Sequence, residues 1–260
     1  MPDAIKVTLC GEIATVMLDR PKAYNAFDLD TVSGLAEHMI NLAADETIRA
    51  VVISGEGKAF CTGGDLRWAM GWPGGPAAAF HNLAARYHQL ILEIRRMPKP
   101  IIAGINGMAA GGGFSLALAC DFRVMERSAV LRQAYTSNGL SIDGGGTFTL
   151  PRLVGFARAM EICAFDEPIS ADRALEWGLV TRIVDDGAAL QEATVMAESL
   201  AQTSLQSFRF SKQLLNDSFN NSFENQLERE RAALRSCAAH RDGLEGIQAF
   251  LDKRKPQFNE

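Results

Sequence analysis

The chain has 260 residues, of which 47% are hydrophobic and 22% charged, and its formal net charge is −5. This composition favours one large folded domain, or a domain with an appendage, and excludes a disordered chain. No basic stripe is present, which argues against nucleic acid as a partner. The first eleven residues lack the charged-then-apolar pattern of a targeting segment, which predicts a cytoplasmic protein.

Metal, disulfide and membrane sites are all poorly supported. The five cysteines and four histidines are scattered, without a C-x-x-C pair or an H-x-x-x-H pattern, so we predict no metal site. Residues 101–120 carry no charge, but Asn106 and five glycines interrupt them. A buried strand, a tight turn and a buried helix fit this segment better than a membrane span.

Strand and helix signals alternate along the first 185 residues. Apolar runs and turn residues predict strands at 5–9, 13–18, 50–54, 101–105, 122–125 and 130–133. Helices are predicted from Asp28 or Asp30 to about residue 44, at 76–97, at 114–119 and after the glycine run 144–146. This alternation predicts an α/β fold with a largely buried sheet.

The strand signals stop after residue 185. The segments 191–200, 205–219, 223–239 and 243–254 read as amphipathic helices. We therefore divide the chain into a core, 1–185, and a helical oligomerisation region, 186–260. An appendage that is apolar on one face often packs against another subunit.

Two glycine runs, Gly111–Gly113 and Gly144–Gly146, each open a predicted helix. The first turn of a helix has unpaired N–H groups and the positive end of the helix dipole, which together can hold an oxyanion. The alternative is a tight packing point without a ligand. Neither run is part of a dinucleotide-binding or P-loop motif.

Four motifs in register give the sequence a family resemblance. They are Arg20-Pro21-x-x-x-Asn25-Ala26, the segment AFCTGGDL at 59–66, the segment KPIIAGINGMAAGGG at 99–113 and PRLVG at 151–155. Together they resemble the enoyl-CoA hydratase/isomerase (crotonase) superfamily over essentially the whole chain. The resemblance implies a crotonase-like spiral of ββα units with a C-terminal helical trimerisation region, in a homotrimer or homohexamer. It also implies an acyl-CoA thioester substrate, so that coenzyme A arrives with the substrate and no separate cofactor is needed.

The same motifs place an oxyanion hole at the backbone N–H groups of Thr62 and Gly112. Thioester chemistry builds negative charge on the carbonyl oxygen, and each preorganised donor can stabilise the transition state by ~3 kcal/mol. Relatives that hydrate enoyl-CoA use two glutamates, whose positions are held here by Ser115 and Tyr135. Hydration by a glutamate pair is therefore doubtful.

Asp143 precedes the second glycine-opened helix, at the position that the resemblance gives to the acidic residue of double-bond isomerases. One carboxylate suffices for this reaction, because it removes a proton from one carbon and returns it to another. The alternative is that Asp143 only caps the following helix.

A rival interpretation uses the same aspartate as a nucleophile. His88 lies in a Tyr-His-Gln context that resembles the histidine of coenzyme A-dependent aryl dehalogenases, in which the histidine helps water to hydrolyse an aryl-enzyme ester. Tyr135 stands where those relatives carry tryptophan, which weakens the case for assigning their mechanism to this sequence. His88 is equally explained as a half-buried packing residue. A third hypothesis is a coenzyme A-binding oligomer without chemistry.

The substrate-binding residues are predicted from the resemblance as well. They are Lys22, Ala23 and Lys58 near the phosphates and pantetheine, Asp65 and Leu66 near the adenine, Phe250 and Lys253 over the nucleotide from the same or a neighbouring subunit, and Tyr135 beside the acyl group. Trp68 belongs to an aromatic segment with Met70 and Trp72, which we expect to line the acyl pocket.

Overall fold

The computed structural model describes residues 4–258 of the chain. Its strands are β1 (Ile5–Cys10), β2 (Ile13–Leu18), β3 (Ala50–Gly55), β4 (Ala59–Cys61), β5 (Ile101–Ile105), β6 (Met108–Ala110), β7 (Phe122–Glu126), β8 (Val130–Arg132), β9 (Ile169–Ser170) and β10 (Arg182–Val184). Its α-helices are α1 (Leu29–Ala44), α2 (Leu66–Met70), α3 (Gly75–Arg96), α4 (Gly112–Ala119), α5 (Gly146–Phe165), α6 (Ala171–Glu176), α7 (Ala189–Ala201), α8 (Leu205–Asp217), α9 (Phe223–Ala239) and α10 (Arg241–Leu251).

The strands form two sheets, and successive units of the chain contribute one strand to each. The larger sheet has the order β1-β2-β3-β5-β7-β10, and the smaller sheet has the order β4-β6-β8-β9. The pairs β3–β5–β7 and β4–β6–β8 are parallel, because each unit crosses over through a helix before the next begins. This arrangement is the predicted spiral of ββα units, which confirms the fold class.

The core lies between the sheets and the helices that cover them. All six residues of β3 are buried, and Phe27, Phe60 and Phe114 are among the largest fully buried side chains. Asp28 begins α1 by accepting a hydrogen bond from the Thr31 N–H, so of the two predicted starts, Asp28 and Asp30, the first is the cap.

The first helix after residue 185 packs against the larger sheet. In α7, a stripe of alanines with helical spacing, Ala193 and Ala197 among them, meets Val52 and Ile102 in a second core cluster. Gly104 permits this approach, because a Cβ there would lie 3.2 Å from the Ala189 carbonyl oxygen. The helical segment thus begins with a helix of the core, while the division at residue 185 stays a prediction.

Most predicted elements lie within two or three residues of those observed. The glycine run at 111–113 is an exception, because α4 begins at Gly112 and includes two of the glycines expected in the turn. The short strands β4, β6, β9 and β10 lack an apolar run long enough to be recognised. No helix in the described part of the chain is long and apolar enough to cross a bilayer.

Candidate active site

Two backbone turns meet where the oxyanion hole is predicted. Gly63 has a φ of +84°, and a Cβ there would lie 2.6 Å from the Gly112 nitrogen. A Cβ on Gly112 would in turn lie 3.4 Å from the Gly63 Cα. Two glycines therefore let the turn after β4 and the start of α4 touch, which puts Thr62 next to Gly112.

The two predicted N–H donors, Thr62 and Gly112, differ in whether they already donate a hydrogen bond within the protein. Gly112 is the first residue of α4, so its N–H has no acceptor within the helix. The Thr62 N–H, in contrast, donates to the Tyr24 carbonyl at 3.2 Å. An oxyanion would have to share the Thr62 donor with this carbonyl or displace it, whereas Gly112 offers its donor directly.

Tyr87 holds the Gly112 peptide in place through a hydrogen bond to its carbonyl. Its hydroxyl donates to the Gly112 carbonyl, and its ring packs against Phe27 with 5.4 Å between the centroids. Burial and the neighbouring groups, first among them Tyr135, raise the pKa of Tyr87 well above its usual value. The sequence predicted a helix over residues 76–97 but gave no sign of this contact, because a buried hydroxyl leaves the helical pattern unchanged.

Asp143 lies between two side chains that can interact with its carboxylate. The Tyr135 hydroxyl donates to Asp143 Oδ1 at 2.5 Å, and His88 Nε2 lies 3.6 Å from Asp143 Oδ2. Tyr135 is buried, whereas about a third of the Asp143 side chain is exposed. Burial, followed by the charge of Asp143, raises the pKa of Tyr135 far above its usual value, so its hydroxyl stays protonated and remains a donor.

The main chain of Asp143 is tied to α4. Its carbonyl accepts a hydrogen bond from Ser115 Oγ at 2.8 Å, and Ser115 follows Gly112 by three residues on the same helix. Ser115 thus fixes the Asp143 loop near the start of α4, although it stands at a position where hydrating relatives carry an acid.

The capping alternative for Asp143 is wrong. Helix α5 begins at Gly146, and its N-cap is Gly145, which has a φ of +74° and no side-chain cap hydrogen bond. The Asp143 carboxylate is instead directed at Tyr135 and His88. Its nearness to the helix start therefore reflects the position of the loop and not a role in capping the helix.

His88 lies on α3 with about half of its side chain exposed. Its Nε2 accepts a hydrogen bond from the Gly144 N–H at 3.3 Å and faces Asp143 Oδ2. The same nitrogen cannot accept from Gly144 and donate to Asp143 at once, since the first needs a lone pair and the second a proton. His88 can therefore take up a proton beside Asp143 if the contact with Gly144 is given up.

The predicted coenzyme A contacts are distributed over several elements. Lys22 and Ala23 lie in the 3-10 turn Pro21–Ala23, and both Lys22 and Lys58 are exposed. Asp65 is already engaged, because its carboxylate accepts from the Arg67 and Trp68 N–H groups at 3.1 Å and thereby begins α2.

Leu66, Phe250 and Lys253 are exposed. Phe250 lies on α10, which packs against α9, and 82% of its surface is accessible. The single chain therefore leaves Phe250 and Lys253 open to solvent.

The aromatic segment after β4 is ordered. The Trp68 and Trp72 rings are in contact, tilted by 52° with 4.8 Å between their centroids, and Trp68 packs against the core. Met70, in contrast, is largely exposed. Of this segment, Trp68 is therefore the side chain held against the protein, beside the turn that carries Thr62.

Comparisons with known proteins show what the whole chain is similar to. The family model described as enoyl-CoA hydratase/isomerase matches residues 10–260. The chain is 37% identical over 247 residues to the 1,2-epoxyphenylacetyl-CoA isomerase of Escherichia coli, which covers 95% of this chain and 94% of that protein. It is 35% identical over 201 residues to the 4-chlorobenzoyl coenzyme A dehalogenase-2 of an Arthrobacter species, covering 76% of this chain and 72% of the dehalogenase.

A crystal structure of an enoyl-CoA hydratase from a Polaromonas species superposes with a TM-score of 0.91 at 38% identity. The match covers 98% of this chain and 99% of the other.

Proposed function

Since the chain belongs to the enoyl-CoA hydratase/isomerase family, we propose that it shifts the double bond of an enoyl-CoA thioester, with Asp143 as the single acid and base. The observation that carries this proposal is the placement of one partly exposed carboxylate between the Tyr135 hydroxyl and His88, on a loop that Ser115 ties to α4.

The proposed reaction needs no other proton carrier. Asp143 removes a proton from one carbon of the substrate, which leaves a dienolate with its negative charge on the thioester oxygen. The Gly112 N–H stabilises this charge, and the Thr62 N–H contributes when the oxyanion shares it with the Tyr24 carbonyl. Asp143 then returns the same proton to a second carbon, so the product is an isomer of the substrate. Coenzyme A is part of the substrate, and the proposed step uses no metal or redox group.

The remaining assignments extend the same proposal. Lys22, Ala23, Lys58, Asp65 and Leu66 contact coenzyme A, and Trp68 lines the acyl pocket. Phe250 and Lys253, which are exposed in one chain, act across a boundary between subunits of a homotrimer or homohexamer. The cytoplasmic location stays a prediction.

One contact favours a second candidate, a hydrolase that acts on a halogenated aryl-CoA. Asp143 Oδ2 would attack the ring carbon that bears the halogen, and the halide would leave with its bonding electrons. Water would then add to the Asp143 carbonyl carbon of the resulting ester, with His88 taking its proton, to release a hydroxyaryl thioester. The 3.6 Å between His88 Nε2 and Asp143 Oδ2 supports this pairing of nucleophile and base.

Mass spectrometry of acyl-CoA substrates in labelled water separates these activities. The panel contains 3-enoyl, 2-enoyl and halo-aryl thioesters, incubated in deuterated water and separately in ¹⁸O-labelled water, with wild type and Asp143→Asn side by side. We expect a conjugated isomer without oxygen gain in the wild type and at least a hundredfold slower reaction in Asp143→Asn.

Other outcomes assign other functions. Uptake of ¹⁸O with loss of halide would replace the isomerase by the hydrolase. Oxygen gain across a double bond that persists in Asp143→Asn would contradict both proposals. No reaction in the panel, together with tight binding of free coenzyme A, would support the oligomer without chemistry.

A further inference from the structure

A cavity of about 800 Å³ opens beside the His88–Asp143 pair, between α3, the start of α5 and α8. His88 and Gly144 line one end of it, and Arg95, Arg96 and Arg209 line the other parts. The cavity therefore extends from His88 to a group of three arginines.

Helix geometry fixes how far apart these ends lie. Arg95 follows His88 by seven residues on α3, which is two turns, so both lie on one face of the helix about 10 Å apart along its axis. Leu92 lines the cavity between them and Ile91 lines it as well. Between His88 and Arg95 the cavity lining is thus apolar, and at the Arg95 end it is charged.

Two guanidinium groups lie against the same aromatic ring at that end. The Arg152 and Arg95 Cζ atoms are 3.4 Å and 5.1 Å from the Phe148 ring centroid. Burial, followed by the charge of Arg152, lowers the pKa of Arg95, with Asp121 and Asp217 acting in the opposite direction. Two like charges are therefore held near each other, and of the two Arg95 is partly buried while Arg152 is exposed.

Within the described part of the chain, no carboxylate lies in ion-pair distance of these arginines. Across residues 4–258, Arg95, Arg96 and Arg152 form no ion pair, and Arg95 donates only to the neutral Asn216 Oδ1, at 2.8 Å. The acidic residue at the cavity, Asp217, pairs with Arg229 at 2.5 Å, and the Lys212 ammonium is already matched by Asp121. The charge of Arg95 is thus left for a ligand.

We infer that the acyl group of the substrate ends in a carboxylate, which Arg95 binds at the far end of this cavity with Arg96 and Arg152 nearby. A carboxylate offers two oxygens to the planar guanidinium, and such charge-assisted pairs are stronger than neutral hydrogen bonds. The acyl chain or ring would pass Leu92 and leave its reacting carbons at Asp143. The inference rests on the proposed function, since it assigns the substrate class of the same site.

Binding of saturated thioesters tests this inference without requiring turnover. The titrations compare adipyl-CoA with hexanoyl-CoA, which have the same number of acyl carbons, and include succinyl-CoA, suberyl-CoA and free coenzyme A. We expect adipyl-CoA or suberyl-CoA to bind about tenfold or more tightly than hexanoyl-CoA. Arg95→Gln should remove this preference and leave the affinity for hexanoyl-CoA unchanged, and Arg95→Lys should restore part of it.

Asn216→Ala is the matched structural control. It removes the contact between α3 and α8 that Arg95 makes but keeps the positive charge, so the preference for the carboxylate should persist. Binding of both adipyl-CoA and suberyl-CoA no tighter than that of hexanoyl-CoA in the wild type would overturn the inference. A loss in Arg95→Gln that is the same for free coenzyme A would also overturn it, because the anion would then be a nucleotide phosphate.

The test is independent of the proposed isomerisation. Asp143→Asn should retain the preference for adipyl-CoA, since binding of the distal carboxylate does not use the proton carrier. A protein that isomerises no thioester but still binds the carboxylate-bearing thioesters more tightly than hexanoyl-CoA would refute the proposed function and support the inference. A protein that isomerises a thioester but shows no such preference would support the proposed function and refute the inference.

Discussion

In the proposed reaction, Tyr135 decides which oxygen of Asp143 is free to react. Its buried hydroxyl donates to Oδ1, and the elevated pKa of Tyr135 keeps that proton on the phenol across the working pH range. Asp143 Oδ2 is then left for the substrate and His88. A residue that the sequence assigned to substrate binding is thus, in the structure, a positioning residue for the carboxylate.

Replacing Tyr135 by Phe should lower kcat about tenfold or more, since a hydrogen bond to a charged group contributes roughly 1.5–3 kcal/mol. Tyr87→Phe is the comparison, since it loses a bond to the Gly112 carbonyl instead. Steady-state rates of both variants and the wild type check this, and an unchanged kcat in Tyr135→Phe would contradict this role.

Alanine substitutions at Gly144 and Gly145 distinguish the effect of steric overlap on stability from the effect of backbone strain. Both have positive φ, of +61° and +74°, so alanine costs about 1–2 kcal/mol at either position. A Cβ on Gly144 would overlap the Tyr87 ring, whereas one on Gly145 would have Ile91 Cγ2 as its nearest neighbour at 3.8 Å.

We therefore expect Gly144→Ala to be less stable than Gly145→Ala by a further ~1–3 kcal/mol. Because the clash displaces the residue that holds Gly112, activity should fall more in Gly144→Ala as well. Urea unfolding and turnover rates of the two variants check this, and equal losses would show that strain alone matters.

At the scale of the elements, one buried ion pair fastens α8 to the core. Lys212 Nζ lies 2.8 Å from Asp121 Oδ2 and donates to the Ile94 carbonyl at 3.1 Å, while Asp121 Oδ2 accepts from the Ile101 N–H. Burial raises the pKa of Asp121, and the Lys212 ammonium opposes that rise. This pair joins α8 to α3 and β5 next to the cavity.

Lys212→Met should destabilise the protein by about 3 kcal/mol near pH 8, because it leaves a buried carboxylate without its partner. Loss of the ammonium raises the Asp121 pKa further above its unfolded value, so the variant takes up a proton as the pH falls. The deficit should therefore shrink between pH 8 and pH 5. Urea unfolding at both pH values measures it, with the exposed Lys255→Met as control, and a deficit independent of pH would refute the charge argument.

For the whole molecule, α10 presents an apolar face to solvent. Leu244, Ile247 and Leu251 recur at helical spacing, and each is more than half exposed. Exposed apolar stripes of this kind are typical of surfaces that bind another subunit.

Ile247→Glu should dissociate the oligomer or weaken it by at least tenfold in concentration, since it places a charge in the centre of that face. Gln191→Glu on α7 adds the same charge at another exposed position and should leave assembly unchanged. Sedimentation velocity over a range of concentrations tests both variants, and a wild type that sediments as a monomer would refute the predicted trimer or hexamer.

The sequence by itself determined the alternation of strands and helices, the glycine turns and the family, because these depend on local periodicity and on motifs whose residues are close in the chain. The start of α1 is an example, since the sequence narrowed it to Asp28 or Asp30 because a cap and the helix that it begins are neighbours in the chain. The sequence did not reveal the short strands β4, β6, β9 and β10. The two-residue β9, for example, is defined by its pairing with β8 and not by a pattern of its own.

Only the tertiary structure decided what each polar group in the site contacts. Asp143 could have capped α5 or held a proton beside His88, and the difference lies in a side-chain direction that spacing does not encode. The engagement of the Thr62 N–H by the Tyr24 carbonyl likewise joins residues that the chain separates by 38 positions. Contacts of this kind depend on how the loops pack on the two sheets, and packing is a property of the folded chain as a whole.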